Sequence, residues 1–354
     1  MSTDAYARSG VDQHAADRAV AALVGVLKTI DTGKESRSRL FSGHYAAVLE
    51  VAPNLGIAVG TDGVGSKLIL AEQTGRYDTV GIDCIAMNVN DVICVGAEPF
   101  AVLDYLAVEQ ADPTVMEQIG IGLKHGAEQA GVEIPGDEVA ILPELIRGHP
   151  SPNGFDLTAT CFGTVALDEV ITGADIVPGD ALIGLPSSGL HSNSYTLARK
   201  VVEDLDLNTP FEGGTLADAL LEPTVIYVRA ALDLIRSDVD VRGLAHITGG
   251  GLLNLLRLNE TAGFVIEDPL PVSPIIAFVM ERGKIAEAEA WEIFNMGCGF
   301  VAVVPEAQAD QATEILAAHH PGARRIGTVS DEAGRASVAG GRYSSGQGSR
   351  SGSS

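Results

Sequence analysis

GTDGVGSKL, residues 60–68, closes a short apolar run, GIAVG at 56–60, and reads as a glycine loop delivered by a buried strand. It comes close to the phosphate-binding pattern G-x-x-x-x-G-K-[ST]: Gly60 and Gly65 are in place, but Ser66 and Lys67 stand in the opposite order. Glycines let backbone N–H groups approach an anion, and Lys67 adds a point charge suited to phosphate. Asp62 lies inside the same loop. Taken alone, the stretch is either a tight strand-to-helix turn or a nucleotide loop of another lineage.

The next segment weighs on that choice. VGIDCIAMNVNDVICVGAEP (80–99) has the pattern of a helix stopped by Gly96 and Pro99. At about 100° per residue, Asp83, Met87, Asn90 and Cys94 share one stripe, with Asp91 on its flank. Carboxylates and amides in an otherwise apolar helix are costly unless paired or bound to a cation. A third acidic stretch, GDEVA (136–140), offers Asp137 and Glu138 between a turn and a strand. Three acidic element ends beside a Gly/Lys loop favour Mg-nucleotide binding, since hard oxygen ligands backed by phosphates suit Mg²⁺.

Outward from there, apolar strands alternate with amphipathic helices. Helices are expected over 11–30 and 115–130, and strands at 101–108, at EVAIL (138–142) and at LTATCFGTVAL (157–167). DEVITGADIVPGD (168–180) reads as a connector with a Pro-Gly turn, after which the order starts again. Strand ALIGLP (181–186) leads into the glycine loop SSGLHSNSY (187–195) and helix TLARKVVEDL (196–205). A helix is expected around 222–237, HITGGG (246–251) should open another, and GFVAVVP (299–305) is a late strand. The reading is α/β (α+β) in two domains, 1–167 and 181–340, joined by 168–180 and followed by a disordered low-complexity tail at 341–354.

Composition limits the partners. The 354 residues carry 47 acidic against 23 basic side chains, a formal charge of −24, and 46% of them are hydrophobic. Such a chain repels nucleic-acid phosphates and anionic membranes, so neither is an expected partner. Scattered surface carboxylates on this scale point to a halophilic cytoplasm, where screening relieves their repulsion. No stretch has the roughly 20 apolar residues of a membrane helix, and the N-terminus lacks a signal-peptide layout. Cys84, Cys94, Cys161 and Cys298 form no C-x-x-C pair, and buried reduced thiols are expected. Together these features predict a cytoplasmic protein.

GTDGVGSKL followed by YDTVGIDCIAMNVNDVICVGAEP (77–99) resembles the phosphoribosylformylglycinamidine cyclo-ligases, the aminoimidazole ribonucleotide synthetases of purine synthesis. Asp91 to Pro99 fits the D-x-x-x-x-G-A-x-P signature of their ATP-binding superfamily. Further blocks resemble that family in the same order: SGVD (9–12), LPSSGLHSNSYTLARKV (185–201), LLEPTVIYV (220–228), AHITGGG (245–251) and IFNMGCGFV (293–301). Two stretches depart from it. GDEVAILP (136–143) has Ile141 in place of a second acid, and FSGHYAAV (41–48) carries His44 and Tyr45 where glycines are usual.

The resemblance implies the two-domain superfamily fold, with N-terminal sheets forming a barrel across a homodimer. It implies ATP and Mg²⁺, with K⁺ as a further candidate ion, and formylglycinamidine ribonucleotide as substrate. Asp62, Asp91 and Glu138 would hold the metal, and Gly60, Thr61, Gly63, Gly65, Ser66, Lys67 and Asn90 would join them around the nucleotide. Ser188, His191, Asn193, Thr248, Gly249, Gly250 and Gly251 would line the substrate, and catalysis would fall to Asp62, Lys67, Asp91, His191 and His246. Each of those two histidines would be a general base, an oxyanion partner or a substrate contact, with a hydrogen-bonded structural role as the alternative, while structural or exposed roles are expected for His44, His125 and His149. The alternatives are a thiamine-monophosphate-kinase-like member of the superfamily and a catalytically silent nucleotide-binding subunit.

Overall fold

The computed structural model describes residues 13–40 and 43–345 and builds the chain on two large sheets, one in each half. The first half runs α1 (Gln13–Leu27), β1 (Ala47–Ala52), β2 (Leu55–Gly63), α2 (Leu68–Thr74), α3 (Val80–Ile93), β3 (Glu98–Val108), α4 (Pro113–Ala130), β4 (Glu133–Ile141) and β5 (Phe155–Val165). Its strands are ordered β1-β2-β5-β3-β4, with β3 and β4 parallel and the other neighbours antiparallel. The alternation of β5 sets the two faces. Phe155, Leu157, Ala159, Cys161 and Val165 are buried, while Asp156, Thr158, Thr160 and Thr164 take the opposite, more open side.

α3 packs on the buried face against β2 and β5, and α4 packs on α3. The two helices approach closely because glycine stands at their contact: a Cβ on Gly81 would lie 2.2 Å from the Leu123 backbone nitrogen. The other side of α3 meets the second half of the chain. Enclosed on both sides, α3 buries every residue except Ile82 and Asp91. Asp91 is thereby singled out by the packing.

The second half runs β6 (Ala181–Pro186), α5 (Tyr195–Val202), β7 (Pro210–Phe211), β8 (Gly214–Thr215), α6 (Leu216–Leu221), α7 (Val228–Ile235), β9 (Gly243–His246), β10 (Gly263–Ile266), α8 (Pro274–Gly283), α9 (Glu287–Ile293), β11 (Cys298–Val304), α10 (Ala309–His319), β12 (Arg324–Ser330), β13 (Ala336–Val338) and β14 (Tyr343–Ser344). Its seven-stranded sheet is ordered β14-β13-β10-β12-β6-β11-β9. CGFVAVV in β11 is buried at every position, which explains a continuous apolar run where an alternating one would mark a half-exposed strand. α7 and β9 are the elements that meet α3.

Several expectations change. HITGGG opens a 3-10 segment, Gly251–Arg257, because the Asn254 side chain donates to the Gly251 carbonyl (2.9 Å) and turns the backbone more tightly than an α-helix. The tail does not become irregular at 341: Tyr343 is buried, pairs through β14 with β13 and donates to Glu292 Oε1 at 2.8 Å. An aromatic side chain with a polar handle anchors what composition reads as low complexity. The block 9–12, Phe41, Ser42 and residues 346–354 lie outside the described residues. All four cysteines are free and buried, as expected.

Candidate active site

The glycine loop leaves β2 where α3 passes beneath it, and Asn88 clips the two together. Its Oδ1 accepts from the Asp62 backbone N–H (2.9 Å), and its Nδ2 donates to the Asp62 carbonyl (3.1 Å). The Asp62 carboxylate accepts from the Gly63 N–H at 2.7 Å. Packing around that carboxyl raises its pKa above the ordinary value although the residue keeps exposed surface. The Gly63 N–H opposes the rise, and the nearby Asp91 charge adds to it.

Asp91 points out of α3 at the junction of the halves and meets His246 at the end of β9, with Oδ1 2.9 Å from Nδ1. A carboxylate at that distance selects the tautomer with hydrogen on Nδ1, which leaves Nε2 as an acceptor. Nε2 is buried and has no hydrogen-bond partner among the described residues. His191 sits opposite in the SSGLHSN loop with left-handed backbone, φ 62°. Its Nε2 accepts from the Ser188 N–H (3.3 Å), so its buried Nδ1 carries hydrogen and likewise has no partner among the described residues. Burial above all, with the Lys67 charge adding to it, pushes the His191 pKa far below the ordinary value, and the ring is neutral. Glycine at 299 makes room for it, since a Cβ there would lie 2.5 Å from His191 Cε1 and 2.1 Å from the Tyr227 hydroxyl. The junction thus holds one spare donor and one spare acceptor in two enclosed imidazoles.

Lys67 corrects the expectation of a phosphate contact. Its side chain is fully buried, and Nζ lies 2.8 Å from Asp83 Oδ2 while donating to the carbonyls of His191 (3.1 Å) and Glu222 (2.7 Å). These partners use the three donors of an ammonium. Asp83 also accepts from Thr224 N, Thr224 Oγ1 and Ser192 Oγ. Asn90 is corrected in the same way: its amide donates to the Val225 carbonyl (2.8 Å) and accepts from the Tyr227 N–H (2.9 Å). The polar stripe on α3 therefore clamps LLEPTVIYV from the second half, because buried polar groups take the partners that packing brings.

The metal expectation changes as well. Glu138 lies on the edge strand β4, opposite Tyr105, with β3 and β5 between it and β2. Three strand spacings amount to about 14 Å. Asp62, Asp91 and Glu138 thus do not converge within one chain, and no cluster of three such ligands occurs among the described residues. Asp62 and Asp91 alone still fit Mg²⁺, which usually takes one or two carboxylates, with substrate phosphates and water completing its octahedron.

The remaining expected residues are dispersed around this core. Thr61 and Thr160 share a hydroxyl contact of 2.7 Å, and Ser66 lies 3.1 Å from the Thr196 hydroxyl. Gly60 is half-buried against α3, and Gly65 takes φ 70°. Ser188 spends its hydroxyl on the Pro223 carbonyl (2.6 Å). Asn193 lies against Gly249, and Thr248 donates to Asn254 Oδ1 (3.3 Å), so both glycine loops of the second half border the junction. Gly250 and Gly251 lead into the 3-10 segment. Asn88, Asn254 and Arg257 are absent from the sequence expectations, and Tyr45 appears there only as a departure from the family pattern. Asn254 and Arg257 follow the triple glycine by three and six residues, a spacing that placed one 3-10 segment against the junction.

Two enclosed imidazoles, a carboxylate pair and glycine loops from both halves define a class. Residues 43–165 match the family described as "AIR synthase related protein, N-terminal domain", and residues 177–339 match its C-terminal domain. The chain belongs to the AIR synthase related protein family. Within it, the chain is 48% identical over 318 residues to the phosphoribosylformylglycinamidine cyclo-ligase of Thermococcus kodakarensis, covering 89% of this chain and 92% of that protein. It is 47% identical over 332 residues to the cyclo-ligase of Methanothermobacter thermautotrophicus, covering 92% and 94%. The fold is shared with the hydrogenase maturation protein HypE solved in complex with ATP, at TM-score 0.60 and 20% identity, covering 83% of this chain and 84% of that one. Thiamine monophosphate kinase from Aquifex aeolicus shares it at TM-score 0.59 and 16% identity, covering 91% and 96%.

Proposed function

We propose that the chain closes formylglycinamidine ribonucleotide to 5-aminoimidazole ribonucleotide, converting ATP to ADP and phosphate, in de novo purine synthesis. The carrying observation is the Asp91–His246 contact, which joins the ATP-signature helix to the glycine loop of the other half at 2.9 Å. Cyclo-ligase relatives that match nearly the whole chain support the same reading. The chemistry asks for two things. An amide oxygen is a poor leaving group and must first accept the γ-phosphoryl group as an iminophosphate. The amidine nitrogen then attacks the activated carbon and phosphate departs.

The residues at the junction suit those needs. Asp62 and Asp91 would hold Mg²⁺, which would neutralise the charge of the phosphates. His246 Nε2 takes the proton lost by the attacking nitrogen, and Asp91 stabilises the imidazolium through Nδ1–H. His191 Nδ1–H donates to the oxygen on which charge develops, a role open to a neutral donor in an enclosed site. The glycine loops of the second half hold the ribonucleotide, placing nitrogen and carbon within reach.

The partner is a second copy of the chain. Leu49, Val51, Leu103 and Tyr105 are exposed on the sheet face away from the helices, and β4 presents a free edge. A dimer that closes these sheets into a barrel would cover both. No helix among the described residues is long and apolar enough to cross a membrane, and the proposed setting is a salty cytoplasm. Purified protein incubated with formylglycinamidine ribonucleotide and Mg-ATP should release ADP and aminoimidazole ribonucleotide in equal amounts. Turnover of thiamine monophosphate without turnover of the purine intermediate would overturn the assignment, and a monomeric mass by light scattering in active conditions would overturn the dimer.

A further inference from the structure

With Lys67 enclosed, the phosphates need another cation, and the junction offers one. Arg257 ends the 3-10 segment that follows the triple glycine. One edge of its guanidinium is held by neutral groups: Nε donates to the Gly43 carbonyl (3.1 Å) and Nη2 to the His44 carbonyl (2.9 Å). Its plane lies over the Tyr45 ring, 4.1 Å from the centroid. Tyr45 is buried, and its hydroxyl donates to the Asn254 carbonyl (3.0 Å) one turn earlier in the same segment. Asn254 in turn accepts from Thr248, two residues beyond His246. The guanidinium is thus fixed in direction relative to the imidazole that meets Asp91.

Among the described residues the rest of the guanidinium is unspent. Arginine has five N–H donors, and the two carbonyls use two of them. Although the chain has 47 acidic residues, no carboxylate pairs with Arg257 among the described residues. Its charge is nevertheless felt at Asp62, where it is the last of the influences that hold down that carboxyl's rise. A half-buried cation held by carbonyls, with a free fork and no counter-ion, is built to receive an anion from solution.

We propose that Arg257 binds a phosphate group of substrate through its free edge, and that Tyr45 and the 43–44 carbonyls are positioning groups that aim it. In this chain the fork is aimed by an aromatic face as well as by backbone. The ligand is a phosphate ester, and the junction admits two sources: the polyphosphate of the nucleotide and the 5′-phosphate of the ribonucleotide. The inference rests on the cyclo-ligase reading only for the identity of the second.

Calorimetric titration with Mg²⁺ and a non-hydrolysable ATP analogue, and separately with formylglycinamidine ribonucleotide, distinguishes the sources. Arg257→Gln should weaken one ligand by about 10- to 100-fold, the size of one or two charge-assisted hydrogen bonds, and leave the other within about twofold. Arg257→Lys keeps the charge, loses the fork and should recover only part of the loss. Tyr45→Leu should weaken the same ligand less than Arg257→Gln does. Unchanged affinity for both ligands in folded Arg257→Gln overturns the proposal. If that variant fails to fold, wild-type affinity for both ligands in Arg257→Lys overturns it. The nucleotide arm does not depend on turnover. Loss of analogue binding with no cyclisation by the wild type would therefore sink the cyclo-ligase reading and leave Arg257 standing. Normal cyclisation with both affinities intact in the variant would do the reverse.

Discussion

Replacing Lys67 by Met tests whether this lysine holds the halves together or holds phosphate. The ammonium and the Asp83 carboxylate are both fully enclosed, 2.8 Å apart. Removing the cation leaves a buried carboxylate without its counter-charge, a change that typically costs about 3–5 kcal/mol. Thr224 N, Thr224 Oγ1 and Ser192 Oγ still donate to Asp83 and favour the lower part of that range. Loss of a donor at the His191 and Glu222 carbonyls adds about 1 kcal/mol each. With a urea slope of about 3 kcal/mol/M, the unfolding midpoint should fall by about 1.7 M. Lys67→Met/Asp83→Asn should be less destabilised than Lys67→Met, because the stranded charge is gone. Turnover should fall as the His191 loop loosens, with the Km for ATP little changed. An unchanged midpoint with a large loss of nucleotide affinity would refute the reasoning and return Lys67 to phosphate.

Asp91→Asn removes the charge facing both His246 and the proposed metal. Turnover should fall about 10²-fold or more with the circular dichroism spectrum retained, and near-normal kinetics would count against the Asp91–His246 pair. His44 titrates at about 4 against an ordinary 6.5, mainly through burial and then the Arg257 charge, so the unfolded chain takes the proton first as pH falls. Its contribution, about 3 kcal/mol, is fully present above pH 6.5 and is lost progressively toward pH 4. His44→Gln should flatten the melting profile across that window. A formal charge of −24 should make melting temperature and activity rise from about 0.1 M towards molar KCl as the Debye length shrinks from about 10 Å to 3 Å. NaCl should replace KCl unless K⁺ is bound, and full stability in about 0.05 M salt would contradict the halophilic reading.

The sequence alone determined the kinds of element and the address of the site. Apolar periodicity placed α3, α4, β5, β6 and β11 close to their observed limits, because the burial of a face imposes its period on the residues that form it. The glycine loops marked the turns at which the two halves meet, and those after β2, β6 and β9 border the junction. Short strands such as β10, β13 and β14 escaped notice, since two to four residues carry too little periodicity to separate from a turn. Tertiary structure decided which charges face solvent and which are spent. Lys67 follows a glycine loop and reads as a phosphate ligand, yet Asp83, His191 and Glu222 enclose it from 16, 124 and 155 residues away. Arg257 sits among leucines and reads as nothing in particular, yet packing against Tyr45, in the other half of the chain, leaves its fork open among the described residues. Local sequence encodes which groups are charged and where the chain turns. Whether a charge is available depends on the partners that folding brings to it, and most of those partners lie in the other half of the chain.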